Sequence, residues 1–164
     1  MAPPLDPTLQ RHHHWMARAL ALAAGAGAAG DVPVGAVILG PGDEVLAEAA
    51  NRRQRDQDPT AHAEILALRQ ASQRLGSWRL DRCTLYVTLE PCPMCAGAII
   101  LSRLGLLVYG ADDLKAGAVR SVLNLPASPC SNHHLPVLAG ILAEPCQELL
   151  QGWFAQRRSP RSPD

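Results

Sequence analysis

The chain has 164 residues, 48% of them hydrophobic, and its 15 acidic residues balance 15 basic ones. A chain of this size buries about two thirds of its unfolded surface in a single core, and its apolar share excludes a disordered polypeptide. Zero net charge excludes a protein that coats nucleic acid through bulk positive charge.

Residues 9–28 read as a helix. Within it "MARALALAAGAGAAG", with Arg11 and Arg18 at its front, has the outline of a signal-peptide core. It is built of Ala and Gly rather than Leu and Ile, and three histidines and a Trp precede it. A surface helix ending in Gly-rich turns is the better reading, and no run reaches the length of a membrane span. His12, His13 and His14 read as an exposed helix start rather than metal ligands.

Val34, Ala36, Val37, Ile38 and Leu39 have the character of a buried strand, "PGDE" is a turn, and residues 44–50 are the hairpin partner. The polar "NRRQRDQDPT" reads as loop. "AHAEILALRQASQRL" is an amphipathic helix that Gly76 ends. "CTLYVTLE" is β-branched and aromatic, giving a strand over 84–89. "PMCAGAIILSRL" is helical, with small Ala96, Gly97 and Ala98 allowing close packing, and 106–109 is another buried strand. A short helix is expected over 116–123, a short strand in "PVLAG", and a last helix over 141–158 with Leu142, Cys146, Leu149, Leu150 and Trp153 on one stripe. Strands alternating with helices predict a three-layer α/β/α sandwich: a mixed sheet of about five strands with helices on both faces. One domain over 1–158 and a disordered tail over 159–164 complete the expectation.

Five cysteines, Cys83, Cys92, Cys95, Cys130 and Cys146, are too few and too odd in number for a secreted disulfide scaffold, so reduced thiols in a cytoplasm fit better. All basic residues but Lys115 are arginine, clustered at Arg52, Arg53 and Arg55 and at Arg157, Arg158 and Arg161. Planar guanidinium forks suit phosphate, and a solvated surface accounts for the clusters equally well.

The chemistry concentrates in His62-Ala63-Glu64 and Pro91-Cys92-Pro93-Met94-Cys95, both at predicted helix N-termini. Residues two apart diverge by roughly 200° around a helix, so His62 and Glu64 share no lateral face; they converge only beyond the helix end. Cys92 and Cys95 fall on one side of their own first turn, where the helix dipole favours thiolate. Two helix ends aimed at one spot give a His-Cys-Cys zinc site whose fourth position is open to water, the mark of a catalytic rather than a structural ion. Cys83 lies at the far end of its strand and Cys146 on an apolar stripe, whereas spacing alone leaves Cys130 as a residue that would close the site. Zinc brings bound water toward neutral ionisation, and Glu64 would carry that proton to a ring nitrogen and then to a leaving amine. The plainer reading of Glu64 is an acid stabilising a first helical turn.

The pairing of H-x-E with P-C-x-x-C resembles the signature of zinc nucleobase deaminases. "NRRQRDQDPTAHAEILALRQA", "LYVTLEPCPMCAGAIILSRLGLLVYGADDLKAGA" and "NHHLPVLAGILAEPCQELLQGWFAQRR", with "DVPVGAVI" upstream, are similar to the bacterial tRNA adenosine deaminases over residues 8–158. That resemblance implies a cytidine deaminase-like fold, conversion of adenosine to inosine at the wobble position of a tRNA anticodon, and one zinc per subunit on His62, Cys92 and Cys95. It implies that Asn51 bonds the flipped base, that Val34 and Ala36 line the base pocket, and that Asp113, Asn132 and His133 contact substrate. Phe154, Arg157 and Arg158 would meet the anticodon loop by stacking and phosphate contacts. A cytoplasmic homodimer, with both subunits lining each site, is implied as well. "PCPMCAGA" is shared with free guanine and cytosine deaminases, which are the alternative among enzymes; a non-catalytic, zinc-stabilised RNA-binding subunit is the alternative outside them. The chain departs from the family in the arginine-rich "RRQRDQ", in His134 where arginine is common, and in Trp153 where Phe is usual.

Overall fold

A computed structural model describes residues 6–158, so the tail over 159–164 and Arg161 lie outside the described residues. At its centre is β1 (Gly35–Leu39), buried along its whole length. It pairs antiparallel with β2 (Val45–Ala50) on one side and with β3 (Thr84–Leu89) on the other; β4 (Leu106–Ala111) and β5 (Val137–Ala139) follow in parallel, giving the order β2-β1-β3-β4-β5. The sheet is mixed and has five strands, as expected.

Strand alternation divides the apolar residues between two cores. Ala36, Ile38, Leu85, Val87, Leu107 and Tyr109 face α3 (Ala63–Leu75) and α4 (Pro93–Leu101). Val37, Leu39, Tyr86 and Val108 face α1 (Pro7–Ala28) and α5 (Ala143–Arg157). Because both faces are covered, β1, β3 and β4 read in sequence as continuous apolar runs rather than as alternating ones. These are the three layers.

Helix ends follow local chemistry. The Asp6 side chain accepts from Thr8 N at 2.7 Å to open α1, and Gly76, at φ 64°, closes α3 in the left-handed conformation that glycine tolerates. On the inner face of α1, Ala19 and Ala23 are fully buried, which lets the helix backbone approach the sheet closely.

Three expectations change. The "RRQRDQ" loop contains a short helix, α2 (Arg53–Asp56), closed by Gln57 at φ 50°. His12 is buried, not exposed: its Nδ1 lies 2.9 Å from the Tyr86 hydroxyl, which faces α1 and needs a polar partner there. Burial holds its pKa below the usual histidine value. Residues 116–123 form turns rather than a helix, because the N–H groups of Val119, Arg120 and Ser121 bond the Glu90 carboxylate instead of carbonyls one turn back.

The close seating of α1 predicts opposite outcomes for two Gly→Ala changes. A Cβ on Gly35 would lie 2.1 Å from Ala19 O and 2.7 Å from Ala23 N, whereas one on Gly25 meets nothing within 4 Å. Thermal unfolding should show Gly35→Ala destabilised by about 1–3 kcal/mol or more. Gly25→Ala should be neutral or stabilised by up to about 1 kcal/mol; equal effects would contradict this packing.

Candidate metal and catalytic centre

Two extended segments meet where α3 and α4 begin. His62 is the N-cap of α3 (φ −75°, ψ 150°) and Cys92 the N-cap of α4 (φ −71°, ψ 173°). Neither side chain caps its own helix, so both are free to turn outward. Cys95, one turn into α4, joins them. His62 Nδ1 lies 3.6 Å from Cys92 Sγ and 3.5 Å from Cys95 Sγ, and all three donor atoms lie within 4.8 Å of one another.

These spacings suit a metal. A tetrahedral ion with metal–sulfur bonds of about 2.3 Å and a metal–nitrogen bond of about 2.0 Å holds sulfur and nitrogen about 3.5 Å apart. The donor set, one imidazole and two thiols, is the kind zinc takes. Cys130 does not join it: it is exposed, with Sγ 3.2 Å from Ser128 Oγ. Cys83 and Cys146 are buried in the two cores. Among the described residues the cluster therefore has three protein donors.

Electrostatics point the same way. The Cys92 thiol is pushed down to about 4 by its hydrogen bonds with Cys95 and His62. Cys95 is pushed up by sharing that hydrogen bond, by burial and by nearby Glu64. His62 is raised by its contact with Cys92. These opposed shifts follow from how closely the three donor atoms pack, and a bound cation would replace the protons they share.

Glu64, in the first turn of α3, is 4% exposed and its carboxyl is pushed up to about 7, chiefly by burial. It lines a cavity of about 190 Å³ together with Val34, Asn51, His62, Cys92 and Asp113. The Asn51 amide spans the rim: Nδ2 donates to Val32 O at 3.1 Å and Oδ1 accepts from Arg53 N at 3.2 Å. One further N–H and one lone pair stay free.

Other expected contacts lie elsewhere. Ala36 is fully buried in the core and does not line the cavity, since it sits one strand repeat deeper than Val34 on the same face. Neither Asn132 nor His133 lines it. Asn132 O accepts from Arg103, and His133 Nε2 sits 2.7 Å from Leu104 O. Phe154 and Arg158 are exposed on and beyond α5 and line neither this cavity nor its neighbour. Arg157 lies with its guanidinium 3.9 Å from the Trp153 ring and lines a polar cavity of about 380 Å³. Val32, Asn51 and Arg53 border both cavities, which makes them neighbours.

Sequence reasoning missed Arg53 and Glu90. Both line the cavity beside Glu64. Arg52 is tied to Asp56 four residues on, and Arg55 to Asp31 far upstream, a pairing that spacing could not reveal. For Glu90 the signal was an acid following a buried strand directly before Pro91-Cys92.

Metal analysis of purified variants checks the ligand set. His62→Ala, Cys92→Ala and Cys95→Ala should each lower bound metal by about tenfold or more, while Cys130→Ser keeps the stoichiometry of the parent. Metal loss in Cys130→Ser would mean a closed site.

Known proteins bear on this geometry. The family model for MafB19-like deaminases matches residues 10–158. The tRNA-specific adenosine deaminase of Bacillus subtilis (strain 168) is 46% identical over 80% of this chain and 81% of its own length. A solved tRNA:A34 deaminase superposes with a TM-score of 0.81 at 43% identity, covering 84% of this chain and 99% of that one. The guanine deaminase of Nitrosomonas europaea superposes at 0.73 with 25% identity, over 94% of this chain and 96% of its own. The two extended segments that bring His62 and Glu64 to Cys92 and Cys95 are thus carried on a shared scaffold, and the chain belongs to the MafB19-like deaminases, among the tRNA-specific adenosine deaminases.

Proposed function

We propose that this protein is a zinc-dependent hydrolase that converts adenosine to inosine at the wobble position of a tRNA anticodon. The observation that carries the reading is Glu64: a buried carboxyl held near neutral pKa, in the same small cavity as a three-donor His-Cys-Cys set. A zinc ion on His62, Cys92 and Cys95 supplies the Lewis acidity that makes water a nucleophile near pH 7. Glu64 takes the proton from the attacking water, delivers it to the purine ring nitrogen and then assists the departing amine. A carboxyl poised near the working pH can do both, whereas an ordinary surface glutamate holds a proton too weakly to return it.

The cavity admits one base, so the target must be turned out of its stack. Val34 provides an apolar wall, and Asn51 offers its spare donor and acceptor to the purine edge. Asp113 lines the same cavity from the opposite loop. The rest of the anticodon loop would run over the adjoining polar cavity, where Arg53 and Arg157 supply phosphate contacts, with Phe154 on α5 and Arg158 just past its end.

Along the groove between α3 and α4, Leu101 of α4 (71%) and Trp78 of the connection after α3 (61%) stand exposed beside Ile65 and Leu68. A second copy of the chain covering this face would make the homodimer that the sequence resemblance implies. No helix among the described residues is long and apolar enough to cross a membrane. Free thiols at all five cysteines suit a reducing cytoplasm.

The test is direct. Zinc-loaded protein incubated with a tRNA whose anticodon begins with A should yield inosine at that position, with free adenosine, guanine and cytosine left unchanged. Turnover of free guanine or cytosine with none on tRNA would assign a free-base deaminase instead, and tRNA binding without any deamination would assign a non-catalytic subunit. Sedimentation at micromolar concentration should give twice the chain mass; a monomer would contradict the dimer.

A further inference from the structure

A second buried carboxylate stands beside the site and takes no part in the chemistry above. Glu90 follows β3 directly, is 1% exposed, and precedes Pro91-Cys92. Its Oε1 accepts from the backbone N–H groups of Val119 (3.1 Å), Arg120 (2.8 Å) and Ser121 (2.9 Å). Its Oε2 accepts from Asp113 N (3.0 Å) and from the Ser121 hydroxyl. Every partner is a donor, so only an ionised carboxylate satisfies the set. The guanidinium of Arg120 turns away to Asp112 at 3.0 Å, and the charge is met by N–H dipoles instead.

The loop that wraps this carboxylate forms part of the cavity wall. Asp113 and Ala116 line the cavity, and Ala118 N donates to Pro91 O at 2.9 Å, next to the first cysteine ligand. Gly117 packs so closely that an added Cβ would lie 2.3 Å from Glu90 Oε2 and 2.5 Å from Asp113 O. The loop has almost no regular structure of its own. Asp113 Oδ1 turns its first residues by accepting from Lys115 N and Ala116 N, and Glu90, in the β3–α4 connection, is the side chain that ties both its ends, Asp113 and residues 119–121, to the sheet.

We infer that Glu90 is a positioning residue for the reaction: it holds residues 113–121 as a preformed wall of the base pocket, so that the substrate does not bear the cost of ordering that loop when it binds. The inference rests on the deaminase reading for its kinetic consequence, but the anchoring itself does not. Removing such an anchor without touching Glu64 or the metal ligands makes each binding event order the loop, so the loss falls on KM more than on kcat.

Glu90→Gln is the sharpest probe. The amide keeps one acceptor for Val119, Arg120 and Ser121, but its NH2 cannot accept from Asp113 N, so the arm that lines the pocket is the one released. Gly117→Ala breaks the same contact from the loop side. With metal content matched to the parent, both variants should raise KM for tRNA on the order of tenfold, with a much smaller change in kcat. Amide hydrogen exchange should quicken at Asp113 and its neighbours while β3 and α4 keep their protection. Two results would overturn the inference: variants that lose thermal stability or metal but retain the parent's KM per loaded site, or exchange at 113–121 that stays as slow as in the parent. If the parent fails to deaminate tRNA, the functional reading falls alone. Exchange then decides the anchoring, faster and confined to 113–121 if it holds, unchanged if it does not.

Discussion

The site depends on two extended N-caps facing each other across about the edge of a metal's coordination shell, His62 Nδ1 lying 3.6 Å from Cys92 Sγ. Each residue ends an extended segment and begins a helix, so its side chain points past the helix end rather than along its flank. Helix N-termini favour negative charge, and here they face two sulfurs and a carboxyl. Assembling that much latent charge costs stability. The sheet offsets the cost by burying β1, β3 and β4 on both faces, which fixes where the two helices start.

Two glutamates show how environment divides labour within one residue type. Glu64 and Glu90 are both almost wholly buried, at 4% and 1% exposure, yet their proton affinities move in opposite directions. Burial dominates at Glu64, whose compensating hydrogen bonds are few, and its carboxyl rises to about 7. At Glu90 burial is outweighed by donors from Asp113, Val119, Arg120 and Ser121, and the carboxyl falls below its usual value. One group is therefore ready to exchange protons, and the other is locked as an anion that shapes a loop.

The legible parts of the sequence were those governed by short spacing. Apolar runs located the strands, Gly76 the end of α3, and H-x-E with P-C-x-x-C the residues that gather as the His-Cys-Cys cluster beside Glu64. What escaped depends on partners far along the chain. Residues 116–123 carry a helix-like composition, but their N–H groups find an acceptor some thirty positions upstream. His12 looks exposed until Tyr86 is placed opposite it. Ala36 shares a strand face with Val34, and only depth along β1 separates wall from core. Arg55 is engaged by Asp31, 24 residues upstream, which leaves Arg53 as the arginine of the triplet that lines the cavity.

On the deaminase reading, a buried carboxyl is what turns a His-Cys-Cys cluster from a clip into a catalyst. Glu64→Gln keeps the shape of the side chain and removes its proton traffic, so metal content and inosine formation measured on the same preparation separate the two roles. Metal should stay at the parent's stoichiometry, with inosine formation on A-starting anticodons lowered by about a thousandfold or more. Unchanged deamination in metal-loaded Glu64→Gln would contradict it.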